Sequence, residues 1–124
     1  MKPYFKYHFN SSLGILFKYY YGNITLTDIE NSWHYAFQNN LITDNVTGFV
    51  LDYSEANLNI NPEDFYKISD FYKQNINYFN HKKIGIVTNN PKDVVIPMLV
   101  ETKDEGYASH PFSTIESAID WVLL

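Results

Sequence analysis

The chain has 124 residues, one domain's length, of which 45% are hydrophobic and 19% charged, and this excludes a disordered or fibrous chain. A net charge of −5 with no arginine removes guanidinium forks and argues against a nucleic-acid partner, whose phosphates must be neutralised. With no cysteine there are no disulfides, thiolate zinc sites or cysteine nucleophiles.

No apolar run approaches the ~20 residues of a membrane span, and the start, MKPYFKYHFN, lacks the apolar stretch of a secretion signal, so the expected location is the cytoplasm. Charge is uneven along the chain. Residues 1–22 hold lysines and no acid, whereas residues 23–66 hold acids and no lysine. The plain reading is solvated faces of one domain; the functional reading is a polarised surface that orients a basic partner.

In chain order, Tyr4–Phe9 alternates aromatics with Lys6 and His8, as a half-exposed strand does. Asn10-Ser11-Ser12 turns the chain into a second strand, Leu13–Tyr21, which makes a hairpin ending at Gly22-Asn23. Thr27 and Glu30 have capping-box spacing, and Ile29, Trp33, Ala36 and Phe37 form a stripe, so a helix is expected over about residues 28–39.

Val46–Tyr53 is apolar on both parities, as a strand covered on both faces is, and it is expected to end at Asp52 and Tyr53. Asn61 as N-cap, Pro62 in the first turn and Glu63-Asp64 behind it predict a second helix. Its buried stripe, Phe65, Ile68, Tyr72, Ile76 and Phe79, carries it to about Phe79, with Glu63 paired to Lys67.

Lys83–Asn89 is another core strand, and Asn90-Pro91 opens a third helix toward Lys103, kinked or started late by Pro97. Tyr107–Phe112 is a last strand, with Pro111 suited to an edge. Ser113 and Glu116 form a second capping box before a final helix through Ile115, Ala118, Ile119 and Val122, with Trp121 at the boundary of its packed face. The order β-β-α-β-α-β-α-β-α predicts one α/β domain, with about four helices on a mixed, mostly parallel five-stranded sheet whose first strand is antiparallel.

Three motifs carry a family resemblance. Tyr21-Gly22-Asn23-Ile24-Thr25 is similar to a "G-x-[ILV]-T" helix entry, and Val50-Leu51-Asp52-Tyr53-Ser54 to a "hydrophobic–Asp–hydrophobic–Ser" strand end. Phe112–Leu123 is similar to a closing "F-x-x-x-E-x-A-x-x-W-[LV]" helix. In this order they resemble the STAS domain, the sulfate-transporter and anti-sigma-factor-antagonist domain. More narrowly, they resemble its stand-alone sporulation-protein-AA-like family, whose fold is related to the lipid-binding SEC14 domain. The resemblance implies a non-catalytic regulatory or protein-interaction role. Switching antagonists of that kind present a phosphorylatable serine at the start of the second helix. Here the segment is Leu58-Asn59-Ile60-Asn61-Pro62-Glu63-Asp64, without a hydroxyl, so a phosphoswitch has no acceptor at that place.

Ligands of open parallel sheets gather beyond the carboxyl ends of the strands. The candidate partner or ligand edge therefore comprises Asn23, Asp52, Ser54, Asn61 and Asn89. The plain reading is that these residues cap helices and close turns. No catalytic, cofactor or metal site is expected: His8, His34, His81 and His110 are scattered, and no glycine-rich phosphate loop is present. A hydrolase using Ser54 lacks the G-x-S-x-G elbow. The 18% aromatic content fits a filled core. As an alternative, the likeness to the SEC14-related fold implies a carrier of a small apolar ligand or lipid, for which the aromatics and the Pro97-interrupted helix would leave room.

Overall fold

The computed structural model describes residues 4–124. Its five strands lie in the order in which they occur in the chain: β1 (Phe5–Asn10), β2 (Ile15–Ile24), β3 (Gly48–Leu58), β4 (Lys83–Val87) and β5 (Ala108–Phe112). β1 is antiparallel to β2, and every later pair is parallel, as expected. Right-handed crossovers along an order that never reverses put all the connecting helices on one face. That face carries α1 (Leu26–Gln38), α2 (Phe65–Gln74), α3 (Ile76–Phe79) and α4 (Val95–Glu101). Among the described residues only α5 (Ile115–Val122) covers the other, over β3, β4 and β5.

Two cores result. Under the connecting helices Leu16, Tyr20, Trp33, Phe49, Leu51, Phe71, Tyr72 and Phe79 are buried together. Under α5 lies a smaller cluster of Ile15, Phe17, Val50, Val87, Ala118 and Val122. Gly48 and Gly85 let α5 approach: a Cβ on Gly48 would overlap Val122 Cγ1, and one on Gly85 would stand 3.1 Å from Ala118 Cβ.

Several boundaries differ from the sequence expectation. β3 runs to Leu58 rather than ending at Tyr53, because Ala56 and Leu58 resume the inward alternation after a bulge. β2 likewise continues through Gly22, which takes φ 81°, to Ile24. The capping box of α1 is Thr25 with Asp28, not Thr27 with Glu30: Thr25 Oγ1 accepts the Asp28 N–H, and Asp28 accepts the Thr25 N–H.

The second helix breaks at Asn75, whose side chain donates to the Phe71 carbonyl at 2.9 Å, so the described residues form five α-helices rather than about four. Lys67 pairs with Asp64 at 3.5 Å, in place of Glu63. Helix α4 starts late, at Val95, and Pro97 falls in its first turn, where a missing N–H costs no intrahelical bond. Thr114, not Ser113, caps α5, accepting the Ser117 N–H.

Candidate functional site

The five rim residues fall into two groups. β4 ends at Val87, opposite Asp52, so Asp52, Ser54 and Asn89 lie at that level. Asp52 is half-buried, and its carboxylate accepts the Ser54 N–H at 2.9 Å; Ser54 and Asn89 are exposed. Beyond β4 the strands β2 and β3 continue as a two-stranded projection in which Asn23 pairs with Asn57. Five residues of strand, about 16 Å, separate Asp52 from that pair. Asn61 lies past the tip, where it caps a 3-10 turn over Pro62–Asp64 by accepting the Glu63 N–H at 3.1 Å. Because the strand order never reverses, the sheet has no switch-point crevice to draw the two groups together.

Two buried ionisable residues escaped the sequence reading. Asp93, 2% exposed, reaches from the β4–α4 connection and accepts the Leu58 N–H at 3.2 Å, so it ties the tip of β3 to the loop. Lys18 is wholly buried. Its Nζ donates to the Tyr20 hydroxyl at 2.8 Å and to Ser32 Oγ at 2.9 Å, and it lies 3.3 Å from the centre of the Trp33 ring. Tyr7 completes this cage, donating its hydroxyl to the Ser32 carbonyl at 2.6 Å. Burial holds the Lys18 amine well below the usual lysine range and pushes the Tyr7, Tyr20, Tyr53 and Tyr72 phenols up. Strand parity was the available signal, since Lys18 shares its face with Leu16 and Tyr20.

Next to this cage, where Tyr53 stacks on Tyr20 at 4.4 Å, an apolar cavity of about 30 Å³ is lined by Leu51, Tyr53, Tyr72, Ile86, Ile96 and Pro97 among others. That volume holds about one water-sized body. Among the described residues no histidine hydrogen-bonds to Ser54 or Asp52; His110 instead meets Glu101 at 2.7 Å. No group of three side chains among them is placed to hold a metal ion, and none of their helices is long and apolar enough to cross a membrane.

A sheet in sequential order with an antiparallel first strand, its connecting helices on one face and a closing helix on the other, is a SpoIIAA-like fold. A solved structure with that fold matches the chain: an uncharacterized protein of the DUF3478 family from Shewanella loihica PV-4. It has a TM-score of 0.57 and 15% sequence identity, over 87% of this chain and 83% of that one. At this identity the likeness concerns the fold. No family model and no curated protein matches the sequence.

Proposed function

We propose that the protein is a non-catalytic, cytoplasmic regulatory or interaction domain of the STAS-like kind, which docks a protein partner on the carboxyl-end rim of its sheet. The observation that carries this reading is the β2–β3 projection. There Asn23, Glu55 and Asn57 face solvent from paired strands, with Ser54 and Asp52 at the base. Polar groups held on a rigid backbone lose little entropy on docking. The acids of residues 23–66, none of them buried, favour a basic partner over a nucleic acid. With Asn61 and Glu63 where switching antagonists carry a serine, docking at this rim proceeds without a phosphate gate. Recovery of partners from host lysate on wild-type protein and on an Asp52→Ala/Ser54→Ala variant tests the reading. Loss of a partner from a folded variant supports it, and equal recovery rejects the rim.

The apolar cavity favours a second reading, carriage of a small apolar ligand. At about 30 Å³ it accepts one only if the α4 wall moves. Native mass spectrometry of gently purified protein decides: a co-purified mass supports carriage, and a bare chain counts against it. A reactive-serine probe that leaves Ser54 unlabelled removes the hydrolase reading.

A further inference from the structure

The two edges of the sheet are treated differently. An edge strand turns alternate N–H and C=O groups outward, where they template another strand. In β5 the inward positions include Ala108, which donates to the Lys82 carbonyl at 3.1 Å, and Phe112, whose carbonyl accepts from Thr88 at 3.0 Å. Ser109 and Pro111 are therefore the outward positions. The Ser109 N–H is donated to the Asp104 carboxylate, which also takes the Ser109 hydroxyl, and Pro111 has no N–H. Neither outward donor of β5 is open.

β1 has neither device. The Tyr21 N–H donates to the Tyr4 carbonyl at 2.8 Å, which makes Tyr4 and Tyr21 a hydrogen-bonded pair. By the alternation of an antiparallel ladder, Lys6, His8 and Asn10 bond inward to β2, and Phe5, Tyr7 and Phe9 turn their N–H and C=O groups outward. No proline interrupts β1, and no side chain among the described residues hydrogen-bonds to those outward groups. Beside this open backbone runs an aromatic strip. Phe9 is 37% exposed, and Tyr35 of α1, 48% exposed, lies parallel to Tyr7 at 6.3 Å and edge-on to Phe5 at 5.3 Å.

We infer that β1 pairs with β1 of a second copy of this chain, antiparallel about a two-fold axis at Tyr7, so that the two sheets join edge to edge. This register sets Phe5 opposite the partner's Phe9, and Tyr7 opposite its own copy. Every outward donor then meets an outward acceptor. An axis at His8 would leave Phe5 unmatched. The edge fits itself in this register and brings the exposed rings of Phe9 and Tyr35 to the joint, which is the ground for a second copy as the occupant; an unrelated strand as occupant would leave the wild type monomeric. Charge does not oppose the joint: Lys18 is sealed in the core, Lys2 lies outside the described residues, and only Lys6 presents an exposed ammonium on the strand. A joint this narrow belongs to the small interfaces, under about 1,200 Å², the class of weak and transient encounters.

Sedimentation equilibrium tests the joint. The wild-type mass is expected to rise from 14.6 kDa toward twice that value across roughly 1–100 μM protein. Phe9→Pro removes an outward N–H without touching the inward ladder, and Phe9→Lys keeps the backbone but sets an ammonium against the partner's Phe5. Both variants, checked for folding by circular dichroism, are expected to stay monomeric in that range. In this cysteine-free chain a Lys6→Cys/His8→Cys variant should oxidise to a disulfide-linked dimer, because those positions face each other across the joint. A wild type that stays at 14.6 kDa throughout overturns the inference, as does association that both Phe9 variants leave intact. A Lys6→Cys/His8→Cys protein that associates without cross-linking overturns the register.

Discussion

The Lys18 amine lies over the Trp33 indole inside the protein, with Nζ 3.3 Å from the ring centre and no carboxylate among the described residues in hydrogen-bond contact. The neighbouring hydrogen bonds fix its protons. Ser32 Oγ donates to the Ile29 carbonyl at 2.7 Å, so the 3.0 Å contact between Tyr20 and Ser32 is donated by Tyr20. Both hydroxyls then offer Lys18 only lone pairs, and the third side of Nζ meets an electron-rich ring. A charged amine satisfies all three neighbours; a neutral one would turn its lone pair on the indole. The cage thus opposes the burial that lowers the amine's pKa.

Replacing this buried amine by an apolar isostere removes its desolvation cost. Lys18→Met is expected to hold stability within about 1 kcal/mol of wild type or above it, while Lys18→Ala, which empties the cage, loses about 2–4 kcal/mol. Urea denaturation of both variants measures the pair. A Lys18→Met protein that loses as much as Lys18→Ala shows that the ammonium itself stabilises the fold.

The same residue predicts a pH dependence. The folded pKa of Lys18 lies below its unfolded value near 10.4, so in that interval the unfolded chain binds more protons and stability rises with pH. Lys18→Met lacks this rise, and the wild-type-minus-variant difference in urea midpoint isolates it. Above about pH 10 both proteins are expected to weaken, because Tyr7, Tyr20, Tyr53 and Tyr72 ionise more readily unfolded than folded.

Asp93 latches the β4–α4 connection to the end of β3. Asp93→Ala leaves the buried Leu58 N–H without its acceptor and is expected to cost about 1–3 kcal/mol, with a smaller loss for Asp93→Asn, which keeps an acceptor oxygen. Amide exchange at Leu58 should quicken in the alanine variant first.

Gly48 lies under Val122 with no room for a Cβ. Gly48→Ala is expected to cost about 1–3 kcal/mol by pushing α5 off the sheet, and adding Val122→Ala should return part of that loss. A double-mutant cycle with no coupling would show that α5 shifts freely.

The capping boxes give a test close to the sequence. Thr25→Ala is expected to cost about 1 kcal/mol, because Thr25 caps α1. Thr27→Ala, at the position the sequence pattern favoured, should stay within about 0.5 kcal/mol of wild type, as exposed substitutions do. Thermal denaturation of the two variants separates the alternatives.

What the amino-acid order determined by itself was the local grammar: the hairpin, the alternation of strands with amphipathic helices, the parallel central strands of a SpoIIAA-like α/β domain, and Asn61 as a cap, although of the 3-10 turn ahead of α2 rather than of α2 itself. These depend on residues a few positions apart, and period and cap chemistry are written at that range. Tertiary structure decided the rest. Ala56 and Leu58 prolong β3 because β2 runs beside them, Asp93 is buried because the β3 tip offers it an N–H, and Lys18 is caged because α1 brings Ser32 and Trp33 over its strand. The rim candidates divide into two groups for the same reason, since how far neighbouring strands extend depends on their pairing. The contrast between a blunted β5 and an open β1 exists only once five separate segments have chosen their neighbours, and that choice rests on contacts between residues far apart in the chain.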